Sequence, residues 1–218
     1  TVGKLASGIQ LLLKDNGVEI VEGEAEIIAP NKVKVGSKIL ETKNVVIATG
    51  STPVPISGYD FKEKILSTDT FWSMEELPKS IAVIGGGYSG CEFASILNVL
   101  GCKVWLIEAE EMLMPDNPQE IGKTLEKYMR IDGITVLTNS KVEKITDNGI
   151  LVNGQNIDVE KILVCVGRKP NIGSDEMKKL GIEFSGKGID VNKKMLTSVS
   201  NIYAIGDITG KYQLAHVA

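Results

Sequence analysis

The hydrophobic residues of this chain fall into short apolar runs, several of which end in glycine, and a few segments with helical periodicity. Leucine and isoleucine recur at helical spacing over residues 1–16, and Gly17 follows at a position where helices commonly stop. Short alternating runs come next, and the apolar run over residues 45–48 is typical of a buried parallel strand. The opening of the chain therefore predicts one amphipathic helix, small sheets and one buried strand.

The middle of the chain alternates strand-like and helix-like segments. The pattern predicts the order strand, helix, strand, helix, strand, over residues 81–84, 89–100, 104–108, 118–131 and 134–137. In the second of these helices Ile121, Leu125 and Tyr128 share one face, which predicts its packing surface. Pro53 and Pro55 cannot continue the preceding strand, so they indicate a domain crossing near Pro55.

The last third of the chain contains more short strand candidates. Three neighbouring runs, over residues 141–145, 149–153 and 161–167, are accompanied by Asn-Gly turns and predict an antiparallel layer. The apolar run that ends at Gly206 and Asp207 predicts a second buried strand. The sequence as a whole therefore predicts an α/β fold.

Composition and charge exclude some classes of protein. Hydrophobic residues make up 43% of the 218 residues, charged residues make up 24%, and the net charge is -4. Such a chain can bury a sizeable core, has no basic face for nucleic acid or anionic lipid, and has no apolar run near the roughly 20 residues of a membrane helix. We therefore expect neither nucleic acid nor a membrane as a partner.

The three cysteines, Cys91, Cys102 and Cys165, form no C-x-x-C pair and show no metal-ligand spacing. This usage fits a reducing compartment, and we expect each thiol to be a small buried apolar group and no metal to be bound. The chain begins with Thr1 and shows neither the charged start nor the apolar block of a signal peptide, so we expect no targeting segment. The expected location is the cytoplasm.

The turn between the first central strand and its helix carries glycines at G-x-G-x-x-G spacing, at Gly85, Gly87 and Gly90. The first permits a tight turn, the second lets a pyrophosphate approach bare backbone, and the third lets the helix lie against the strand. Glycine turns also serve packing alone, but Glu108 ends the next strand, where an acid binds ribose hydroxyls. No arginine follows Glu108, so the pattern favours NAD over NADP, whose 2′-phosphate the carboxylate would repel.

Two other strand ends have a form that suits backbone placed against a ligand. Thr49, Gly50 and Ser51 follow the first buried strand, and Gly206 and Asp207 end the second. Taken alone, Asp207 is more simply explained as a cap of a helix or turn. The two strand ends indicate a ligand site only in combination with the other motifs.

These motifs occur together in one order. They run along the chain as ATGS at residues 48–51, GGGYSGCE at 85–92, CVGRKPN at 165–171, NIYAIGD at 201–207 and QLAHVA at 213–218. This series, with Glu108, resembles the pyridine nucleotide disulfide oxidoreductase family over the whole length of the chain. Leu214, Ala215 and His216 are similar to the branch that oxidises dihydrolipoamide, because glutathione reductases usually carry a Leu-Thr-Pro type sequence there.

The resemblance implies a Rossmann-like NAD-binding domain inserted into a partial FAD-binding domain. Residues 1–55 and 169–218 would belong to the FAD-binding domain, and residues 56–168 would form the NAD-binding domain. The residues implied for NAD are Gly85, Gly87, Tyr88, Ser89, Gly90, Glu92, Glu108, Val142, Gly167 and Arg168. Those implied for FAD are Gly23, Thr49, Gly50, Ser51, Asp207, Gln213, Leu214, Ala215 and His216.

The same resemblance implies a role for each group of residues. The glycines would hold the pyrophosphate of NAD, Glu108 would bind its adenosine ribose, and Val142 would line the adenine side. Glu92 and residues 165–168 would lie towards the nicotinamide. Asp207 would bind the ribityl chain of FAD. His216, beside the flavin ring, is better explained as a helix-start residue that acts through its backbone than as a chemical group.

The activity implied is that of an oxidoreductase in which electrons pass from a dithiol to an enzyme disulfide, then to FAD and to NAD. The parent protein would be a homodimer served by a lipoyl-bearing protein of a 2-oxo acid dehydrogenase or glycine cleavage complex, mitochondrial in a eukaryote. This chain would be the middle of such a subunit, without the first FAD-binding turn, the redox cysteine pair, the catalytic histidine or the dimerisation domain. We therefore expect no catalytic residue in it and no activity of the chain alone.

Other functions stay open on the sequence. The same two-nucleotide core would suit an NADH oxidase, a transhydrogenase, or a mercuric or glutathione reductase. A stand-alone NAD-binding module without catalysis is a further alternative.

Overall fold

The computed structural model describes residues 2–211 and 213–215. The internal contacts divide the chain into two compact units, and the first of them is discontinuous in sequence. Unit 1 comprises Thr1–Gly50 and Pro170–Ala218, and unit 2 comprises Ser51–Lys169.

The elements of unit 1 come from both ends of the chain. Its first part contains the helix α1 and four strands: α1 Val2–Asp15, β1 Ala25–Ala29, β2 Lys32–Val35, β3 Lys38–Glu41 and β4 Val45–Ile47. Unit 2 follows with β5 Ser51–Pro53, β6 Ile65–Ser67, β7 Ser80–Ile84, α2 Tyr88–Val99, β8 Lys103–Ile107, α3 Gln119–Ile131, β9 Thr135–Leu137, β10 Val142–Ile145, β11 Gly149–Val152, β12 Gln155–Asp158, β13 Lys161–Val164 and β14 Arg168–Pro170. The chain then completes unit 1 with α4 Ser174–Leu180, β15 Phe184–Ser185, β16 Gly188–Ile189 and β17 Ile202–Ala204. Short 3₁₀ helices occupy Thr70–Ser73 and Gly206–Thr209.

Unit 2 is built on a five-stranded sheet in the order β6-β13-β7-β8-β9, and the pairs within it are parallel. Ile81 and Val83 of β7 belong to one core cluster with α2 and α3, whereas Ala82 and Ile84 belong to a second cluster with the β10-β11-β12 sheet. Both faces of β7 are therefore covered, which explains its uninterrupted apolar sequence. The α/β alternation predicted from residue 81 to residue 137 is confirmed.

The expected antiparallel layer is only partly correct. β10 and β11 pair in it, but its third strand is β12, and the run that was expected there forms β13 in the parallel sheet. Ile162, Leu163 and Val164 are all buried, as in a strand with both faces covered, whereas the polar β12 suits an exposed edge. The position of β13 did not follow from its closeness in sequence to β10 and β11, because the chain leaves the hairpin and returns to the parallel sheet.

The proline segment also differs from expectation. Ser51–Pro53 does form a strand, β5, which pairs with β14 in a two-stranded ladder. Proline is tolerated in such edge strands because no further strand needs its missing N–H group. The first change of unit falls after Gly50, a few residues before Pro55.

The core of unit 1 surrounds a parallel pair of strands. β17 pairs with β4, with Ile202 opposite Val45 and Ala204 opposite Ile47. A three-stranded antiparallel sheet, β1-β2-β3, and the helix α4 contribute side chains to the same cluster. The helix α4, in a segment where no element was predicted, ends at Gly181, whose φ of 72° is a left-handed conformation that glycine adopts readily.

Two structural features are absent from the part of the chain that the structure describes. Within residues 2–211 and 213–215, none of the helices has the length and apolar character needed to cross a bilayer. No group of three or more His, Cys, Asp or Glu residues in the same part of the chain is placed to hold a metal ion.

Candidate functional site

The turn between β7 and α2 has the conformation that its glycines predict. Gly85 has a φ of 105°, and its amide donates to the carbonyl oxygen of Ile107 at 2.8 Å. A Cβ atom at Gly85 would lie 2.5 Å from the carbonyl oxygen of Cys165. Both the backbone angle and the lack of space therefore require glycine at this position.

The other two glycines of the motif differ in what surrounds them. A Cβ atom at Gly90 would lie 1.8 Å from the carbonyl oxygen of Gly85, so this glycine lets α2 approach the end of β7. At Gly87, the N-cap residue of α2, a Cβ atom would meet nothing within 4 Å. Open space beside bare amides at a helix start fits a pyrophosphate group, which such amides and the helix dipole attract.

Glu108, at the end of β8, is bonded to this turn. One carboxylate oxygen accepts a hydrogen bond from the amide of Gly86 at 2.5 Å, and the other accepts one from the amide of Glu110 at 2.8 Å. The residue is only 8% exposed. Each carboxylate oxygen has two lone pairs, so the group retains the capacity to accept ribose hydroxyls as well.

Gly86 is not one of the spaced glycines of the motif, yet it has little free space. A Cβ atom there would lie 2.6 Å from Cδ2 of Leu113 and 3.0 Å from a carboxylate oxygen of Glu108. Its carbonyl oxygen accepts hydrogen bonds from the amide of Met114 at 2.9 Å and from the thiol of Cys91 at 3.3 Å. The position lies between two motif glycines, and the run of three consecutive glycines was the signal that could have identified it.

The strand order reverses direction beside β7. After β7 the chain adds β8 and β9 on one side and then places β13 on the other. In open α/β sheets, ligands bind outside the carboxyl ends of the strands at such a switch point. Gly85 follows β7, and Cys165, which follows β13, donates its amide to the carbonyl oxygen of Ile84 at 2.7 Å. The glycine turn therefore lies at the edge where this fold binds ligands.

The remaining residues predicted for NAD in the first two turns of α2 are accessible. Tyr88 is exposed, with its hydroxyl 3.2 Å from the side-chain oxygen of Asn117, and Ser89 and Glu92 are exposed as well. Val142 is half-buried at the start of β10 and packs against the second core cluster. That contact gives Val142 a packing role, whether or not an adenine ring lies beside it.

Gly167 and Arg168 follow β13. Gly167 has a φ of 121° and accepts a hydrogen bond from the amide of Val54 at 3.0 Å. The guanidinium of Arg168 is engaged by protein acceptors at Nε and at both terminal nitrogens. Arg168 is among the residues expected to bind NAD, and in the structure its side chain is held by Ser51, Thr68 and Asp69.

The three cysteines have free thiols, and the structure keeps them protonated. Burial, reinforced by the charges of Glu108 and Glu92, raises the pKa of Cys91 to about 12. Burial, with Cys91 nearby, raises the pKa of Cys165 to about 12, and burial also raises the pKa of Cys102. These thiols lack the thiolate character of a redox-active cysteine.

In unit 1, two of the strand ends predicted for FAD lie side by side. β4 and β17 are paired in parallel up to Ile47 and Ala204, and the amide of Ile205 donates to the carbonyl oxygen of Ile47 at 3.0 Å. Thr49 and Gly50 lie in the segment that follows β4, and Asp207 lies in the segment that follows β17.

The other residues predicted for FAD are less closely grouped. Gly23 has a φ of 144°, and a Cβ atom there would lie 2.7 Å from Cγ1 of Val35. Ser51 belongs to unit 2, where its hydroxyl and carbonyl bind Arg168. Gln213, Leu214 and Ala215 are exposed, and His216 lies outside the described residues.

A parallel sheet whose strand leads through a glycine turn into a helix, with an acid at the end of the next strand, defines a Rossmann-like dinucleotide-binding fold. This is the fold class predicted from the sequence. The chain belongs to the pyridine nucleotide-disulphide oxidoreductase family, whose family model matches residues 1–218. Members of this family are oxidoreductases that use FAD and a pyridine nucleotide.

Curated relatives share the same class and carry a more specific name. Proteins named dihydrolipoyl dehydrogenase are 36% identical in Chlamydia pneumoniae, over 98% of this chain and 48% of the relative, and 35% identical in Bacillus subtilis, over 100% and 50%. The relative from Acholeplasma laidlawii is 38% identical over 100% of this chain and 67% of its own length. The chain therefore spans about half the length of most of these relatives.

Solved structures with similar folds are also longer than this chain. LpdA from Mycobacterium tuberculosis matches with a TM-score of 0.87 and 26% identity, over 99% of this chain and 51% of that protein. A copper(II) complex of the HOCl-induced flavoprotein disulfide reductase RclA from Escherichia coli matches with a TM-score of 0.84 and 26% identity, over 99% and 53%.

Proposed function

We propose that this chain is the NAD(H)-binding middle portion of a flavoprotein disulfide oxidoreductase that reoxidises dihydrolipoamide. The observation that carries the proposal is the glycine turn, where Gly87 leaves open space at the start of α2 and Glu108 is bonded to the amide of Gly86. The relatives named dihydrolipoyl dehydrogenase support the choice of dithiol.

The chain's own residues would bind and orient the dinucleotide. The amides at the start of α2 would hold the pyrophosphate, and the carboxylate of Glu108 would accept hydrogen bonds from the adenosine ribose. A buried carboxylate would also repel a 2′-phosphate, which favours NAD(H) over NADP(H). The nicotinamide ring supplies the hydride chemistry when it is bound, and the protein supplies its position.

In unit 1, the ends of β4 and β17 would contribute to an FAD site. Thr49, Gly50 and Asp207 follow these paired strands, as the resemblance implies. The full protein would act as a homodimer with a lipoyl-bearing partner protein, in a reducing compartment such as the cytoplasm. By itself, this chain would bind NAD(H) without oxidising dithiols, because its three thiols have raised pKa values.

A nucleotide titration tests the proposed binding. NADH and NADPH are titrated into the purified chain, into Gly87→Val and into Gly186→Val, followed by nucleotide fluorescence. Gly186 is the matched control because a Cβ atom there also meets nothing within 4 Å. We expect NADH to bind more tightly than NADPH, and only Gly87→Val to lose binding. Equal affinity for the two nucleotides would remove the role of Glu108, and normal binding by Gly87→Val would remove the role of the turn.

A separate assay tests the inactivity proposed for the chain alone. The purified chain is incubated with FAD, freed of unbound flavin and supplied with dihydrolipoamide and NAD. We expect no retained flavin absorbance and no NADH formation. Steady NADH formation that is lost on substitution of Cys91, Cys102 or Cys165 would contradict the proposal.

A further inference from the structure

Arg168 holds together three segments at the carboxyl edge of the parallel sheet. Its Nε donates to the hydroxyl of Ser51 at 2.7 Å, and one terminal nitrogen donates to the carbonyl of Ser51 at 2.8 Å. The other terminal nitrogen donates to the hydroxyl of Thr68 at 3.0 Å and to a carboxylate oxygen of Asp69 at 2.8 Å. Arg168 begins β14, Ser51 begins β5, and Thr68 and Asp69 follow β6.

The arrangement is more specific than an ordinary surface ion pair. The side chain of Arg168 is 28% exposed and that of Asp69 is 56% exposed, and an isolated pair of this kind contributes little. A guanidinium that binds several acceptors in a fixed plane, however, fixes geometry as well as charge. Lysine, with a compact ammonium on a flexible stem, cannot reproduce that set of contacts.

The segment that this guanidinium anchors leads directly to the glycine turn. Residues 165–167 connect β13 to Arg168, and Gly167 is bonded to the amide of Val54. At the other end of the segment, the carbonyl oxygen of Cys165 lies against Gly85 so closely that no Cβ atom fits between them. A shift of Arg168 would therefore move the backbone that faces the first glycine of the turn.

We propose that Arg168 is a positioning residue and not a nucleotide ligand: bound to Ser51, Thr68 and Asp69, it fixes residues 165–167 as the wall of the site on the β13 side of the glycine turn. The proposal rests on the proposed NAD(H) binding. Glu108 follows β8, on the opposite side of β7 from β13, and the adenosine end of the nucleotide would lie beside it. Loss of the Arg168–Asp69 contact therefore weakens binding of the whole dinucleotide and spares binding of its adenosine half.

The test compares NADH with 5′-AMP on single and double variants. The variants are Arg168→Lys, Asp69→Ala and the double variant, with Arg130→Lys and Asp60→Ala as matched controls. Arg130 is paired with Glu126 on α3, and Asp60 is exposed. The dissociation constants of both nucleotides and the melting temperature are measured for each variant in the intact chain.

We expect Arg168→Lys and Asp69→Ala each to weaken NADH binding by about threefold to tenfold, and the double variant to lose no more than Arg168→Lys alone, because Asp69 acts through Arg168. The affinity for 5′-AMP should stay within about twofold of wild type, as should both affinities in the controls. Unchanged NADH affinity, or equal losses for NADH and 5′-AMP with a lower melting temperature, would overturn the positioning role. A wild-type chain that binds neither nucleotide would overturn the proposed function, and the positioning role with it.

Discussion

The carboxylate of Glu108 and the amide of Gly86 are joined by a hydrogen bond of 2.5 Å, which links the end of β8 to the turn that follows β7. A side chain at residue 86 would displace this carboxylate, because a Cβ atom there would lie 3.0 Å from its oxygen. The acid expected to select the nucleotide is thus also part of the structure that holds the turn. Substitutions at the two residues should consequently affect both folding and binding.

Replacement of Glu108 should separate these two effects. Glu108→Ala leaves the amides of Gly86 and Glu110 without their acceptor, so we expect a loss of about 1–3 kcal/mol in the free energy of unfolding. Glu108→Gln retains one acceptor oxygen and should lose less stability. Its affinity for NADH should still fall about tenfold, and the difference between its affinities for NADH and NADPH should become smaller. Urea denaturation and nucleotide titration measure the two quantities. The exposed neighbour Glu110 provides the control, and a Glu110→Gln variant with the same losses would contradict the assignment.

Gly86→Ala should mainly lower stability and Gly87→Ala should mainly weaken NADH binding, although the residues are adjacent. The methyl group of Gly86→Ala meets Leu113 and Glu108, so we expect a loss of about 1–3 kcal/mol in stability. The methyl group of Gly87→Ala enters open space, where stability should change by less than about 1 kcal/mol while NADH binding weakens. Thermal melting and NADH titration of both variants check this. A stable Gly86→Ala or a tightly binding Gly87→Ala would show that the turn is arranged differently.

The strand–turn–helix unit could be predicted from the sequence because its determinants are local. Ile81–Ile84, the glycines and Glu108 each have a requirement that the backbone imposes within a few residues, and all of them occupy the expected places. The location of β13 could not be predicted in the same way. Its partners β6 and β7 are distant in sequence, so only tertiary packing decides between a hairpin and a return to the sheet.

The buried face of α3 was predicted only in part, since Leu125 packs against the first core cluster but its two neighbours on that face do not. Ile121 and Tyr128 are 49% and 57% exposed, whereas Gly122 and Met129 are buried. Hydrophobic periodicity assigns no weight to glycine, yet Gly122 is buried, and its lack of a side chain lets α3 pass close to the carbonyl oxygen of Leu113.

Gly122→Ala should therefore destabilise the protein, although alanine favours a helix over glycine by about 1 kcal/mol. A Cβ atom at Gly122 would lie 2.3 Å from the carbonyl oxygen of Leu113, so we expect a net loss of about 1–3 kcal/mol. Thr124→Ala on the exposed face of α3 should be neutral or slightly stabilising. The measurement is urea denaturation of both variants. A stabilised Gly122→Ala would mean that α3 has room to move away.

The native thiols should react slowly. With a pKa of about 12, Cys91 and Cys165 are ionised at pH 8 only to about one part in ten thousand, against roughly a quarter for an ordinary thiol. Labelling of Cys91 and Cys165 by a maleimide at pH 8 should be at least about a thousandfold slower in the native chain than in urea. Rapid native labelling of Cys91 would contradict its burial.

The same pKa shifts give the stability a definite pH dependence. The thiols ionise in the unfolded chain at lower pH than in the folded chain, so their contribution is fully present below about pH 8.5. It is lost progressively as the pH rises towards about 12, the folded pKa of Cys91. We expect Cys91→Ala to flatten the decline of the melting temperature over this range. An equally steep decline in Cys91→Ala would assign it to other groups.

The place of β13 between β6 and β7 in the sheet has a consequence for synthesis of the chain. β6 has β13 as its neighbour in the sheet, and β13 is also one of the two neighbours of β7. A nascent chain that has not yet reached Lys161 thus presents one edge of β7 without a partner, and β6 has nothing to pair with. Such late, long-range pairing is slow and leaves strand edges available to other chains. We therefore expect newly made protein to depend on chaperones until the ribosome has passed β13, and unit 1, which needs β17, to close later still.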